Sequence, residues 1–194
     1  MAGKTPSRDP AIQELLDRQA IHDALMRYSR GIDRHDRKLL ESIYWLDAED
    51  NHITYVGDVA GFIDYSFAFT QDMRTSHMLL NILIEFDSPA LARSETYYIG
   101  YHDMPGQLGR EDFVMGGRYL DLFEKRENEW RIRKRTLTCD WYMRAPSTAA
   151  WGTGILANLK TRGERYPDDP LYWVFAKNPE TAASTKLQGK PRKR

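Results

Sequence analysis

HMLLNILIEF, residues 77–86, alternates from one residue to the next. With a period of two, Met78, Leu80, Ile82, Ile84 and Phe86 fall on one side, and His77, Leu79, Asn81, Leu83 and Glu85 on the other. That period belongs to a strand. Further strands are expected over residues 90–102, 112–124 and 130–143. The short turn signals Asp87-Ser88-Pro89 and Glu127-Asn128-Glu129 predict antiparallel neighbours. Residues 104–110 carry Pro105, Gly106 and Gly109 and read as a longer loop.

Upstream of this run the period changes. Asp9-Pro10 supplies an N-cap and a proline for the first helical position. Ile12, Leu15, Leu16, Ile21, Leu25, Tyr28 and Ile32 then recur at helical spacing, with Gly31 marking an expected end or irregularity. A short helix over 37–45 capped by Asp36, a strand over 52–56 that stops at Gly57-Asp58, and a helix over 60–73 complete the first half. Helices followed by a run of neighbouring strands define an α+β domain.

Length and composition bound the function. A chain of 194 residues suits one domain. Lys+Arg and Asp+Glu balance at 28 each, which speaks against a nucleic-acid partner. Surface buried in a homo-oligomer would suit a chain without net charge. The single cysteine, Cys139, excludes an internal disulfide and suits a reducing compartment. The opening MAGKTPSRDPAIQELL has no apolar core of a signal peptide, and no apolar run is long enough for a membrane span. A cytoplasmic protein without a membrane partner is therefore expected.

Residues 1–9 are expected to be a disordered lead, 10–145 the catalytic domain, 146–180 an arm packing on it or on a neighbour, and 181–194 a disordered basic tail. The arm is rich in glycine and proline, with Trp151, Tyr166, Tyr172, Trp173 and Phe175 scattered through it. The KPRKR ending reads as solvated tail.

The familiar signatures of phosphate loops, zinc proteases and serine hydrolases are missing from the sequence. The five histidines form no metal-ligand spacing with carboxylates. Acid–base work by ordinary side chains remains, with no cofactor and no metal expected. His22, His35, His52 and His102 lie in charged or loop-like segments and are expected at the surface. His77 differs because it opens the most apolar strand. A carboxylate beside it would fix its tautomer and stabilise the imidazolium formed on proton uptake.

The order of elements, together with AIQELLDRQAIHDALMRYSRGIDRHDRKLLESIYWLDAE, HMLLNILIEF and LFEKRENEWRIRKRTLTCDWY, resembles the NTF2-like superfamily and, within it, the SnoaL-like group of dehydratases and dehydrochlorinases. The resemblance covers about residues 12–143. It implies a cone-shaped, curved antiparallel sheet wrapped by N-terminal helices. It also implies a His77–Asp33 dyad, a functional Arg135, and a lyase that is commonly trimeric. Asp33 has two alternatives, pairing with Arg30 or Arg34, or capping the next helix. Arg135 shares its strand pattern with Leu137, Cys139 and Trp141, and as a buried arginine it would need a polar partner. Tyr28, where the group has lysine or tyrosine, favours hydroxyl over halide departure. On an ideal helix, however, Tyr28 and Asp33 point well apart. Tyr44, Trp45, Tyr55, Asn81 and Trp141 are the expected substrate-binding residues.

The aromatic content of 12% suits a hydroxylated aromatic or polycyclic substrate. The expected reaction is a dehydratase-type elimination, and the same groups can run a retro-aldol loss of formaldehyde. An isomerase or cyclase on the same scaffold, or a non-catalytic binding module, are the alternatives.

Overall fold

The computed structural model describes residues 9–176. The calls for residues 1–8, for 177–180 of the arm and for the basic tail lie outside the described residues. Helix α1 (Pro10–Arg34) starts where Asp9 accepts a hydrogen bond from the Ala11 amide. It runs without a break through Gly31 and ends at His35, whose φ of 53° is left-handed. Gly31 is therefore not a stop. A Cβ there would lie 2.7 Å from Leu40 Cδ2, so its place is set by the close approach of α2 (Arg37–Glu41).

The second helix is shorter than the sequence predicts. The chain leaves it for β1 (Tyr44–His52) and turns back in β2 (Tyr55–Asp58) before α3 (Val59–Phe69). Four long strands follow: β3 (Arg74–Ser88), β4 (Leu91–Gly106), β5 (Gly109–Arg126) and β6 (Glu129–Pro146). The expected loop over 104–110 is strand on both sides of a two-residue turn, because Gly106 pairs with Gly109. A turn of 3-10 helix (Gly154–Leu156) and the five-residue α4 (Pro170–Val174) lie in the arm.

The six strands form one curved, unclosed sheet in the order β2-β1-β6-β5-β4-β3. It is not wholly antiparallel, since β1 runs parallel to β6. Helix α1 packs on both β3 and β6, and α3 on β1 and β2. The core lies between these helices and the sheet, with Ile21, Leu25, Tyr28, Phe62, Tyr119, Phe123 and Ile132 fully buried.

Two bulges decide which side chains face that core. In β3 the register jumps between Leu79 and Ile82. Thr75, His77 and Leu79 therefore share the inner face with Ile82, Ile84 and Phe86, while Met78, Leu80 and Leu83 are exposed. The strict alternation read from residues 77–86 breaks at Leu80-Asn81, because a bulge inserts an extra residue and reverses the pattern beyond it. In β6 the register jumps at Asp140, where Gly116 pairs with Trp141 and Gly117 with Cys139. At Gly117 a Cβ would fall 1.9 Å from the Thr138 carbonyl oxygen. That contact is to backbone and cannot be relieved by a rotamer. Gly117→Ala is expected to destabilise the fold by at least about 2 kcal/mol, read as a lowered Tm in thermal unfolding.

Candidate functional site

Asp33 lies on the last turn of α1, and His77 near the start of β3 on the inner face. Asp33 Oδ1 is 2.7 Å from His77 Nδ1, and Asp33 Oδ2 accepts from the His77 backbone amide at 2.8 Å. Both side chains are 8% exposed. One carboxylate thus holds both the ring and the backbone of one histidine. The alternatives fall away: Asp36 caps α2, and Arg34 is drawn to Asp169. Burial pushes the Asp33 carboxyl up, but hydrogen bonds from the His77 ring and amide, with help from Thr75, bring the net value below the usual range. With Nδ1 donating to this carboxylate, Nε2 of His77 carries the lone pair. A Cβ built on Gly100, the residue paired with His77, would sit 3.2 Å from His102 Cε1 and 3.6 Å from His77 Nε2, so the glycine lets the two imidazoles pack over it.

Arg135 has no exposed surface. Its Nε and Nη2 donate to the two oxygens of Asp121, each at 2.7 Å. The guanidinium lies 4.0 Å from the Tyr28 ring centre and 4.3 Å from that of Tyr119. Its Nη1, the hydroxyls of Tyr28 and Tyr119, Ser94 Oγ and Thr96 Oγ1 have no hydrogen-bond partner of normal geometry among the described residues. Buried polar atoms are almost always paired, so such a group on one face reads as a place prepared for polar atoms of a ligand. Tyr28 and Asp33 do point to different parts of the sheet. They serve one interior because the sheet curves around α1.

The remaining expected residues divide. Tyr44 is buried and its hydroxyl donates to Asp50 at 2.8 Å. Tyr55 packs on Phe62, with its hydroxyl turned to the Asp58 carbonyl. Trp45 instead donates to the Glu124 carbonyl and lies under Arg126 and Arg131, away from the dyad. Asn81 is exposed at the β3 bulge. Trp141 covers Gly116 on the outer face because the β6 bulge reverses the side on which it points. These three are not part of the interior site.

Two histidines expected at the surface are buried. His102 packs edge-on to His77, with ring centres 5.4 Å apart, and burial followed by the charge of His77 depresses its pKa to about 4. The His52 side chain is 13% exposed, and its Nδ1 lies 3.3 Å from Asp50 Oδ1. Burial depresses its pKa as well. His35 stacks on Phe67 at 4.3 Å and is likewise depressed to about 4 by burial and by Arg165. Alternation along the strands would have found His102: it is in phase with Thr96 and Tyr98. His52 gave no such signal, because the strand was expected to begin there rather than end.

The arm supplies a further group. Arg165 donates to the carbonyls of Thr70 (3.0 Å), Met73 (2.7 Å) and Asp33, and so joins the end of α1 to the chain entering β3. Tyr166 N–H donates to the Arg34 carbonyl at 2.6 Å. A cleft of about 460 Å³ beside the dyad is walled by Asp33, Thr75, Arg110, Trp151 and Arg165. A larger depression of about 670 Å³, lined by Met26, Arg27 and Arg131, lies away from the dyad. The smaller cleft is the one next to the chemistry. Among the described residues no group of three or more His, Cys, Asp or Glu is placed to hold a metal ion, and no helix is long and apolar enough to cross a membrane.

A curved, unclosed six-stranded sheet packed against N-terminal helices is the α+β arrangement of the cystatin-like, NTF2-like class. Residues 13–136 match the model of the SnoaL-like domain, and the chain belongs to that family. No curated protein matches the chain. Among solved structures it is similar to a type 2 hexachlorocyclohexane dehydrochlorinase, with 20% identity, 73% of this chain and 96% of that one covered, and a TM-score of 0.65. The type 3 dehydrochlorinase of Novosphingobium barchaimii is 19% identical, with 72% and 97% covered and a TM-score of 0.65. A scytalone-dehydratase-like protein of Novosphingobium aromaticivorans is 21% identical, with 72% and 93% covered and a TM-score of 0.59. These likenesses establish the fold.

Two outcomes are expected. Arg165→Ala should loosen the dyad, read as loss of the low-field proton signal of the His77–Asp33 hydrogen bond. Stability should also fall with acid. The folded His102 and His35 stay neutral down to about pH 4, whereas an unfolded histidine protonates near pH 6.5. The unfolded chain therefore binds more protons between these values, and stability is lost as the pH falls through them. His102→Gln should flatten the Tm-against-pH curve in that window.

Proposed function

We propose that this protein is a cofactor-independent lyase acting on a hydroxylated aromatic or polycyclic small molecule. The observation that carries the reading is the doubly held dyad: Asp33 fixes the His77 ring and amide together, leaving the lone pair on Nε2. Nε2 takes a proton from a substrate carbon or hydroxyl, and Asp33 stabilises the imidazolium. A hydroxyl departs with a proton as the double bond forms. Tyr28, a phenol whose pKa is raised by burial, stays protonated and donates toward the departing oxygen. Arg135 Nη1 stabilises negative charge that develops on the substrate.

The SnoaL-like family, and the dehydrochlorinase and dehydratase-like neighbours, support a small-molecule lyase or isomerase. Elimination is favoured because Tyr28 places a neutral donor where a hydroxyl must leave. Loss of formaldehyde from a diol uses the same base on an O–H.

Assembly as a homotrimer belongs to this proposal. The outer face of the sheet exposes Met78, Leu80, Leu83, Tyr97, Leu120 and Trp141, apolar surface that a second copy would cover. Light scattering is expected to give three times the chain mass; a monomer would contradict it.

Hydroxylated aromatic dimers, steroids and polyketide-like compounds are the screen, with product mass as the readout. Dehydration or formaldehyde loss lowers the mass, and an unchanged mass would make the protein an isomerase. On the substrate found, His77→Ala and Asp33→Asn should each lower kcat by about 10²- to 10⁴-fold. Near-normal turnover of both variants would refute the dyad.

A further inference from the structure

The inner face holds a second histidine–carboxylate pair that the mechanism above does not use. His52 and Asp50 are alternate residues of β1, with His52 Nδ1 3.3 Å from Asp50 Oδ1. The other Asp50 oxygen accepts from the Tyr44 hydroxyl at 2.8 Å. The Asp50 side chain is wholly buried, and β1 pairs Asp50 with Arg135. The His52 ring lies against Phe62 at 4.8 Å and Tyr119 at 6.0 Å. This pair is looser than His77–Asp33: the two atoms are in ion-pair range, but neither His52 Nδ1 nor Asp50 Oδ1 makes a hydrogen bond of normal geometry among the described residues. Sheet order sets the two pairs on different parts of the concave face, β1 near one edge and β3 at the other, yet close enough that the charge of His77 acts on His52.

Around the second pair the unpartnered polar atoms gather. Arg135 Nη1 and the Tyr28 and Tyr119 hydroxyls lie close to one another but make no hydrogen bond of normal geometry among the described residues. The charged and titratable groups facing His52 are Asp50 on its own strand, Arg135 and Asp121 on β6 and β5, and His77 on β3. An imidazole beside a carboxylate can accept a proton, and donors not committed to a protein carbonyl or carboxylate, Arg135 Nη1 and the Tyr119 hydroxyl, can turn to an oxyanion. A group that gives up a proton and becomes an oxyanion meets both needs. Of the hydroxyl handles on an aromatic molecule, a phenol, with a pKa of about 10, is the one within reach of such ionisation when a base and an oxyanion cradle assist it.

We propose that His52 and Asp50 are a second acid–base pair that takes the proton of a phenolic hydroxyl on the substrate, while Arg135 and Tyr119 hold the phenolate and Tyr28 is kept for the leaving hydroxyl. This deepens the lyase reading and rests on it for the reaction, but not for binding. The O–H bond breaks, an Nε2–H bond forms on His52, and a phenolate–imidazolium pair replaces two neutral groups. The phenolate electrons then move through the ring as the hydroxyl on the conjugated side-chain carbon leaves. The substrate is accordingly a phenol whose leaving group is carried by a carbon conjugated to its ring.

4-Nitrophenol tests the pair without turnover, because its phenolate absorbs in the visible and its phenol does not. With full-length protein, below the pH at which free 4-nitrophenol ionises, the bound probe should show the phenolate band. His52→Gln should lower the bound phenolate fraction at least about tenfold, the equivalent of one pKa unit, and Asp50→Asn should lower it too. His77→Gln should keep it. In the wild type, ¹⁵N NMR should show Nε2 of His52 becoming protonated when the probe binds, which guards against a His52 variant that fails to fold. A band that survives His52→Gln, no change at His52 Nε2, or a wild type that does not bind the probe would each overturn the proposal. If the band depends on His52 but His77→Ala leaves turnover intact, the phenol site stands and the dyad reading fails.

Discussion

The guanidinium of Arg135 has no exposed surface, and the arrangement of the inner face follows from that burial. Taking such a charge out of water costs several kcal/mol, and removing one partner of a buried ion pair typically destabilises a protein by about 3–5 kcal/mol. Asp121 answers the charge from the neighbouring strand through two matched hydrogen bonds. The rings of Tyr28 and Tyr119 flank it. Arg135 thereby ties β5 and β6 to α1. The same demand explains why a polar interior survives beneath a hydrophobic helix: Asp50 and Tyr44 collect on the strand beside it. One guanidinium nitrogen is left over, without a hydrogen-bond partner of normal geometry among the described residues.

Much of this was legible in the sequence. Helical spacing before residue 37 and alternation after residue 77 gave the α+β class and the strand order along the chain. The Asp9-Pro10 start and the turns near residues 88 and 128 also match the structure, whereas the Asp33–His77 contact was implied by the family resemblance and not by the spacing of the residues. What escaped depends on position in space. A bulge leaves no mark in composition, yet it moves Ile82, Ile84 and Phe86 onto the side of His77 and sends Trp141 to the opposite face from Arg135. Gly31 looked like punctuation, but it answers to Leu40 on the next helix.

The histidines show the same limit. His102 and His52 lie among charged neighbours in sequence, and those neighbours suggested surface. In the sheet, alternate residues face opposite ways, so the charges beside a histidine say little about the face the histidine itself occupies. His102 is flanked by Tyr101 and Asp103 yet ends against His77 and Phe113. Trp45 shows the reverse: an aromatic beside a helix end suggested the pocket, whereas it lies beneath arginines at the turn between β5 and β6.

The contacts of Arg165 also bear on how the chain is made. The family domain ends at residue 136, but the residue that bridges the end of α1 and the entry to β3 lies 29 positions later, 132 residues beyond Asp33. A chain emerging from the ribosome presents the helix and the sheet first and this bridge last. The loop that the bridge closes is among the longest in the molecule, so closing it carries a large entropic penalty that only an already assembled sheet can offset. The rim of the site is consequently fastened late in biogenesis. A nascent chain halted at the domain boundary would hold His77 and Asp33 without the bridge that spans their two segments.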